Sequence, residues 1–272
     1  MHHVDDPADP LLADFAALND PEQRRRIERR GGYFVVEGIV AIERLLALPA
    51  WPVRGLALLP RVAERLERLL SGRDIPVAVA SEEVLRHVVG FDIHRGALAS
   101  VDRRAPIALA DLVEADQPQL LIAAEGLNDH ENLGALYRSA AAFGCAGVVL
   151  GPTCADPFYR RSVRVSQGNV LAVPTSTMAS VDDLHDAGVA TVALVPSAPD
   201  RLVDLDRTAL GPGPVAVLVG AEGPGLDARS IAVATHRASI PMADDVDSLN
   251  VATAAAIALF HLQQVTRQAG GR

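Results

Sequence analysis

Short, largely apolar runs recur through the second half of the chain: Leu120–Ala124, Ala146–Leu150, Val189–Val195, Val215–Gly220 and Ala238–Met242. Runs of this length without polar alternation fit strands of a parallel sheet covered on both faces. Segments with helical patterning interleave with them: Asn132–Phe143, Phe158–Ser166, Val181–Ala187, Asp227–Ala234 and Val251–Arg267. That alternation predicts an α/β fold with a parallel sheet. Ala, Val and Leu dominate, and only 4% of residues are aromatic. This mix suits α/β packing better than a β-sandwich. A chain of 272 residues has room for one large domain or two modest ones.

The first hundred residues read differently. Residues 1–20 are rich in Asp and Pro and are expected to be a flexible lead-in. Strand composition follows at Tyr33–Val36, Gly55–Leu59, Pro76–Val79 and His94–Ala99. Between these lie an apolar-periodic stretch through Ile42, Leu45 and Leu46, an amphipathic helix over Val62–Leu70, and a helix capped by Ser81 with Glu82 and Glu83 in its first turn. Residues 21–105 therefore form a small α/β module, Asp102–Pro106 reads as a linker, and residues 106–272 form the larger domain.

The formal net charge is −9, and every basic residue apart from histidine is an arginine. An arginine-only composition is better explained by genomic codon bias than by phosphate recognition. The run Arg24, Arg25, Arg26, Arg29 and Arg30 fits two readings equally. It is either a phosphate-contacting edge or a solvated helix end paired with Glu22 and Glu28. Cys145 and Cys154 lack metal-ligand spacing, which predicts no metal site and fits a reducing compartment. The acidic N-terminus has no apolar signal core, and no run is long enough to span a bilayer. A cytoplasmic protein without membrane attachment is expected.

Chemistry concentrates in separate segments. The first, Asn128–Gly144, follows a buried strand, opens a helix and carries Asn132, Gly134 and Arg138. Six residues, about 1.7 turns, separate Asn132 from Arg138, so they lie on different parts of the helix surface. The second, Val217–Leu226, ends a strand in a loop with Gly220, Gly223, Gly225 and one carboxylate, Glu222. Its glycine spacing matches neither the dinucleotide fingerprint nor a phosphate loop. The third, Ile240–Ile257, passes through Met242, Ser248, Leu249 and Asn250 into an alanine-rich helix. Alone, these segments also read as a helix cap, a tight turn and a capped core helix.

Their order and spacing together resemble the three motifs of the SpoU/TrmH-type RNA 2′-O-ribose methyltransferases of the SPOUT superfamily, over about residues 118 to 265. Arg164-Val-Ser166-Gln-Gly168 with Val173-Pro174 resembles a further family segment. The arginine run, Phe34–Gly38 and Gly96–Ala99 resemble, more loosely, the family's substrate-binding module. The resemblance implies a C-terminal domain threaded into a trefoil knot, S-adenosyl-L-methionine as methyl donor, and a homodimer formed through the knot region. It implies donor contacts at Gly220, Ile240, Met242, Leu249 and Leu194. It implies catalytic roles for Arg138, Asn132, Glu222, Ser248 and Asn250, with Arg164 and the arginine run toward RNA. The family often reads Ser-Leu-Asn-Val-Ser, whereas this chain has Ala252 at the last position, which keeps the size and loses a hydroxyl.

The reaction so implied needs a ribose 2′-oxygen brought in line with a sulfonium methyl. His130, ahead of Asn132 in the first segment, is the nearest neutral base, and no other His or Cys stands within the three segments. The family assigns proton abstraction to the arginine. Guanidinium groups hold their proton, so phosphate clamping by Arg138, with Glu222 and Asn132 bracing it, is the role the chemistry supports. The resemblance implies structured RNA as the partner, and ribosomal RNA in particular, because a chain with a separate leading module resembles the family's ribosomal RNA enzymes more than its minimal transfer RNA enzymes. Transfer RNA, or a noncatalytic RNA-binding factor of the same fold, is the alternative. A nicotinamide enzyme is disfavoured by the glycine pattern.

Overall fold

The computed structural model describes residues 1–20, 22, 31–93, 96–114 and 117–269, with backbone alone at 207 and 266–269. The arginine run at 24–30 lies outside the described residues, as do residues 94–95 at the start of one expected strand. The chain divides into two compact units: Met1–Ala105 with Phe158–Leu171, and Pro106–Pro157 with Ala172–Arg272.

The first unit is a five-stranded sheet in the order β1-β4-β3-β5-β2, where β1 is His2–Val4, β2 Tyr33–Glu37, β3 Val53–Leu58, β4 Val77–Ala80 and β5 Ala97–Asp102. Residues 1–20, expected as a flexible lead-in, are ordered. β1 pairs in parallel with β4, His2 opposite Ala78 and Val4 opposite Ala80. A 3-10 helix follows at Pro10–Phe15, its start capped by the Asp9 carboxylate accepting from the Leu11 N–H. Leu12, Phe15 and Leu18 are fully buried, and that burial fixes a segment whose Asp and Pro content suggested a loop. The expected strand at His94–Ala99 is displaced toward the C-terminus. It becomes β5, held between β2 and β3 by antiparallel ladders, with Asp102 opposite Tyr33.

The segment Phe158–Leu171 belongs to this unit, although it lies in the middle of the second half of the sequence. Its helix, Arg160–Val165, is shorter than the expected Phe158–Ser166 and packs against β2. Arg160 and Arg164 both reach the buried Glu37 carboxylate, at 3.4 and 3.6 Å. The Arg44 guanidinium donates to the Gln167 carbonyl and the Trp51 indole to the Leu171 carbonyl. Gly168 has a positive φ and lies on Ala41, where a Cβ would be 3.0 Å from the Ala41 Cα. Glycine is therefore required there by space and by backbone conformation.

The second unit carries a seven-stranded sheet, every pairing parallel, in the order β10-β12-β9-β11-β6-β7-β8. Its strands are β6 Leu120–Ala124, β7 Gly147–Leu150, β8 Thr175–Thr177, β9 Ala190–Leu194, β10 Asp200–Arg201, β11 Val215–Val219 and β12 His236–Ser239. The parallel sheet anticipated from the apolar runs is thus present. Leu121, Ala123, Ala216 and Leu218 face a cluster with Met178, Val181 and Leu184. The helices His130–Phe143 and Val251–Ala269 pack on each other and against β6 and β11. Ala255, Ala258, Leu259 and Leu262 are fully buried along the second of these helices, at the i, i+3, i+4, i+7 spacing of one helical face. Alanines there let the backbones approach closely, and Leu133, Leu136, Tyr137 and Ala140 fill the opposing side.

One strand boundary shifts in a way that matters. The run Ala238–Met242 was expected to be a strand, but β12 ends at Ser239. Pro241 has no N–H for a ladder, so Ile240 and Met242 become the loop beyond the strand.

Candidate functional site

A cavity of about 450 Å³ opens beyond the carboxyl ends of β9, β11 and β12. Ligands of open parallel sheets bind at such strand ends. Leu194, Val195 and Pro196 follow β9, the loop Gly220–Leu226 follows β11, and Ile240 and Met242 follow β12. Ser248, Leu249 and Asn250 complete the wall before the C-terminal helix. The five positions expected to hold a donor therefore line one cavity.

The loop after β11 doubles back tightly. A Cβ on Gly220 would overlap the Gly225 carbonyl group and the Leu226 nitrogen. The two ends of the loop are thus in backbone contact, bridged further by the pairing of Ala221 with Gly225. The bend turns Glu222 to the rim. Its carboxylate accepts from the Asn132 side-chain amide at 2.8 Å and from the Asn250 amide at 3.2 Å. The Asn250 amide also donates to the Asn132 carbonyl oxygen at 2.8 Å. Residues 90 and 118 positions apart so form one closed polar triangle.

Two caps explain how these side chains are available. Asn132 does not cap its own helix. Asp129 does, accepting from the Glu131 and Asn132 N–H groups at 2.8 Å each. That leaves the buried Asn132 side chain for the triangle. Asn250 performs both tasks: its carbonyl oxygen accepts from the Ala252 and Thr253 N–H groups, and its amide points to the triangle. Ala252 is itself buried, so a larger residue would press on the helix packing beneath.

Arg138 stands apart from this triangle. It is exposed on the helix His130–Phe143 and makes no hydrogen bond or ion pair among the described residues. Glu222 and Asn132, expected to brace it, bond to Asn250 instead. Ser248 and Leu249 lie exposed at the cavity mouth. Arg164 lies in the first unit, tied to Glu37. His130 begins the helix next to the Asp129 cap.

Neither cysteine is primed as a nucleophile. Burial pushes the Cys145 thiol up to about 12 and also raises Cys154. Burial likewise raises Tyr137, whose hydroxyl shares a hydrogen bond with Thr175. Among the described residues no group of three or more His, Cys, Asp or Glu is arranged to hold a metal. No described helix is long and apolar enough to cross a membrane.

One supporting residue escaped the sequence reading. Glu125 directly follows β6, and its carboxylate accepts from the Ser230 hydroxyl at 2.6 Å and from the Asp227 N–H at 3.3 Å. It anchors the point where the Gly220–Leu226 loop enters its helix. An acid at the end of an apolar strand was the available signal. Glu125→Ala removes both bonds, one partly buried and one exposed, and each such bond contributes about 0.5–1.5 kcal/mol. Amide hydrogen exchange across residues 220–227 is expected to rise about tenfold or more, with Glu125→Gln restoring part of the protection.

Comparison with known proteins gives this geometry a lineage. The SpoU rRNA Methylase family model matches residues 119–260, which hold every residue of the triangle. The chain is 38% identical over 264 residues to an uncharacterized tRNA/rRNA methyltransferase of Mycobacterium tuberculosis, covering 96% of this chain and 91% of that one. It is 30% identical over 187 residues to a 23S rRNA (guanosine-2'-O-)-methyltransferase of Ralstonia nicotianae, covering 66% of this chain and 74% of the relative. Among solved structures, an AdoMet-bound rRNA methyltransferase from Sinorhizobium meliloti superposes with a TM-score of 0.79 at 25% identity, covering 97% of each chain. With the model spanning the whole site and a relative aligned along nearly the full length, the chain belongs to the SpoU rRNA methylase family of RNA methyltransferases.

Proposed function

We propose that this protein transfers a methyl group from S-adenosyl-L-methionine to a ribose 2′-hydroxyl of ribosomal RNA. The observation that carries the reading is the Asn132–Glu222–Asn250 triangle at the rim of a cavity walled by a glycine loop. The donor supplies a methyl group already activated by the sulfonium. The chain's own residues have the remaining tasks of seating the donor, orienting the acceptor and keeping both in register.

The cavity fits such a donor. Leu194, Ile240, Met242 and Leu249 offer apolar surface, and the Gly220 bend brings backbone groups to the wall. Ser248 and Asn250 stand at the mouth, where polar contact to a ribose or an amino-acid moiety is possible. A hydrogen-bonded Asn pair keeps the Glu222 carboxylate fixed without neutralising it, so the rim offers a preorganised acceptor. Arg138, with its donors uncommitted among the described residues, clamps an RNA phosphate in this reading. Recognition of the 2′-hydroxyl restricts the enzyme to RNA.

In the proposed assembly the C-terminal part is threaded as a trefoil knot, and two copies associate through it. Phe260 and Ile257 support this association. Both are exposed on the C-terminal helix, Phe260 at 57%, beside Phe143 of the packed helix. A second copy covering them would also bring its own Arg138 surface near. We place the enzyme in the cytoplasm with its RNA. Transfer RNA is the second reading, favoured by the tRNA/rRNA name of the Mycobacterium relative.

The test is transfer of labelled methyl from the donor to ribosomal RNA and to transfer RNA, followed by nuclease digestion. Label is expected in an alkali-resistant dinucleotide from ribosomal RNA, since a 2′-O-methyl blocks cleavage at that phosphate. Label on a base would overturn the ribose assignment, and label only in transfer RNA would select the second reading.

A further inference from the structure

The first unit holds an aromatic shelf that no catalytic role accounts for. Phe34, Trp51 and Phe158 pack edge to face or tilted, with ring centres 4.9 to 5.6 Å apart. The Trp51 N–H is committed to the Leu171 carbonyl at 2.8 Å, which fixes the indole. Two consecutive arginines lie on this shelf. The Arg103 guanidinium sits over Phe34 and Phe158, at 5.9 and 6.0 Å, and donates to the Tyr33 carbonyl. The Arg104 guanidinium sits over Trp51 at 5.5 Å.

Their surroundings differ. Arg54, Arg65, Arg160, Arg164 and Arg229 each meet a carboxylate. Arg104 is exposed and makes no hydrogen bond or ion pair among the described residues. A guanidinium resting on an aromatic face keeps its in-plane N–H donors available, while the stack limits its motion. That combination suits a bidentate contact to a phosphate. The linker that sequence reading placed at Asp102–Pro106 is therefore a built feature: Arg103 ties it to the shelf and Arg104 presents the charge.

We propose that Arg104, held on Trp51, is an RNA phosphate contact of the first unit, separate from the arginine run at 24–30. The proposal rests on the RNA-methyltransferase reading above. In a chain of net charge −9, an arginine held on an aromatic face with no ion pair among the described residues marks where a polyanion approaches.

Fluorescence anisotropy with a large-subunit ribosomal RNA transcript, measured across a salt series, tests this. Arg104→Ala is expected to weaken binding roughly 3- to 10-fold and to lower the slope of log affinity against log salt by about 0.7 to 1. Arg104→Lys keeps the charge without the stack, so it is expected to retain the slope at intermediate affinity. Arg68→Ala, an equal charge loss at an exposed helix position, is expected to leave binding unchanged. Calorimetric affinity for S-adenosylmethionine should be the same in all variants. Unchanged affinity and slope for Arg104→Ala, or an equal loss for Arg68→Ala, would overturn the contact. Full affinity in Arg104→Lys would refute the part played by the Trp51 stack. If the wild-type protein binds the donor but no RNA, the RNA reading fails together with this contact.

Discussion

Gly220→Ala is expected to weaken S-adenosylmethionine binding by up to roughly 100-fold while leaving the chain folded. A methyl group at that position overlaps the backbone of Gly225 and Leu226, neither of which is a flexible side-chain end. The loop must open, and opening moves Glu222 away from Asn132 and Asn250. Overpacking of this kind costs about 1–3 kcal/mol or more. At about 1.4 kcal/mol per tenfold, that converts to roughly a 100-fold loss in affinity at the upper end. The buried strand β11 before the loop keeps its ladder on both sides, so circular dichroism should change little, while the strain lowers the thermal midpoint by about 2–4 °C for each kcal/mol. Calorimetry decides the matter. Donor affinity within twofold of wild type would mean that the bend after β11 does not form the donor's wall.

The second large effect is kinetic. Arg138→Ala is expected to lower kcat for RNA methylation by about 100-fold or more with donor affinity unchanged, because misplacing an acceptor by about 1 Å is enough for such a loss. The side chain has no intramolecular duty among the described residues, so its removal should cost no stability. Within one copy it shares no bond with the triangle. In the proposed homodimer it acts beside the other copy's cavity. Mixing Arg138→Ala with Asn250→Ala protomers is then expected to recover about a quarter of wild-type activity, since about half of randomly assorted dimers are mixed and each of these keeps one intact site of its two. Activity that stays at the level of the separate variants would confine arginine and triangle to the same subunit or to no common site.

Much of the second unit was legible because its signals are local. Strands buried on both faces leave apolar runs, and β6 and β11 fall where those runs lie. The order of Asn132, Glu222 and Asn250 could be read, but their triangle could not, since it depends on three loops meeting above one sheet. The end of β12 was misread because composition weighs Ile240 and Met242 as strand residues and gives too little weight to the missing N–H of Pro241. The lead-in was misread for the opposite reason. β1 is only His2–Val4, and its order comes from a distant ladder to β4 and from burial of Leu12, Phe15 and Leu18. Residues 158–171 look like one more helix of an α/β repeat. The pairing of Arg160 and Arg164 with Glu37, 123 or more positions away, together with the Arg44 and Trp51 hydrogen bonds and the Gly168 seat on Ala41, assigns them to the other unit. Glu125 and Arg104 act through partners that no motif announces.

Because the polypeptide crosses the boundary after Ala105, after Pro157 and again after Leu171, the two halves are stitched together and not strung in tandem. A gene fragment encoding the catalytic half alone would inherit a stretch whose seat, from Ala41 to Trp51, it no longer owned. Recombination that exchanged only the leading module would have to preserve the shape and charge of that seat, so the two halves are bound to drift as one.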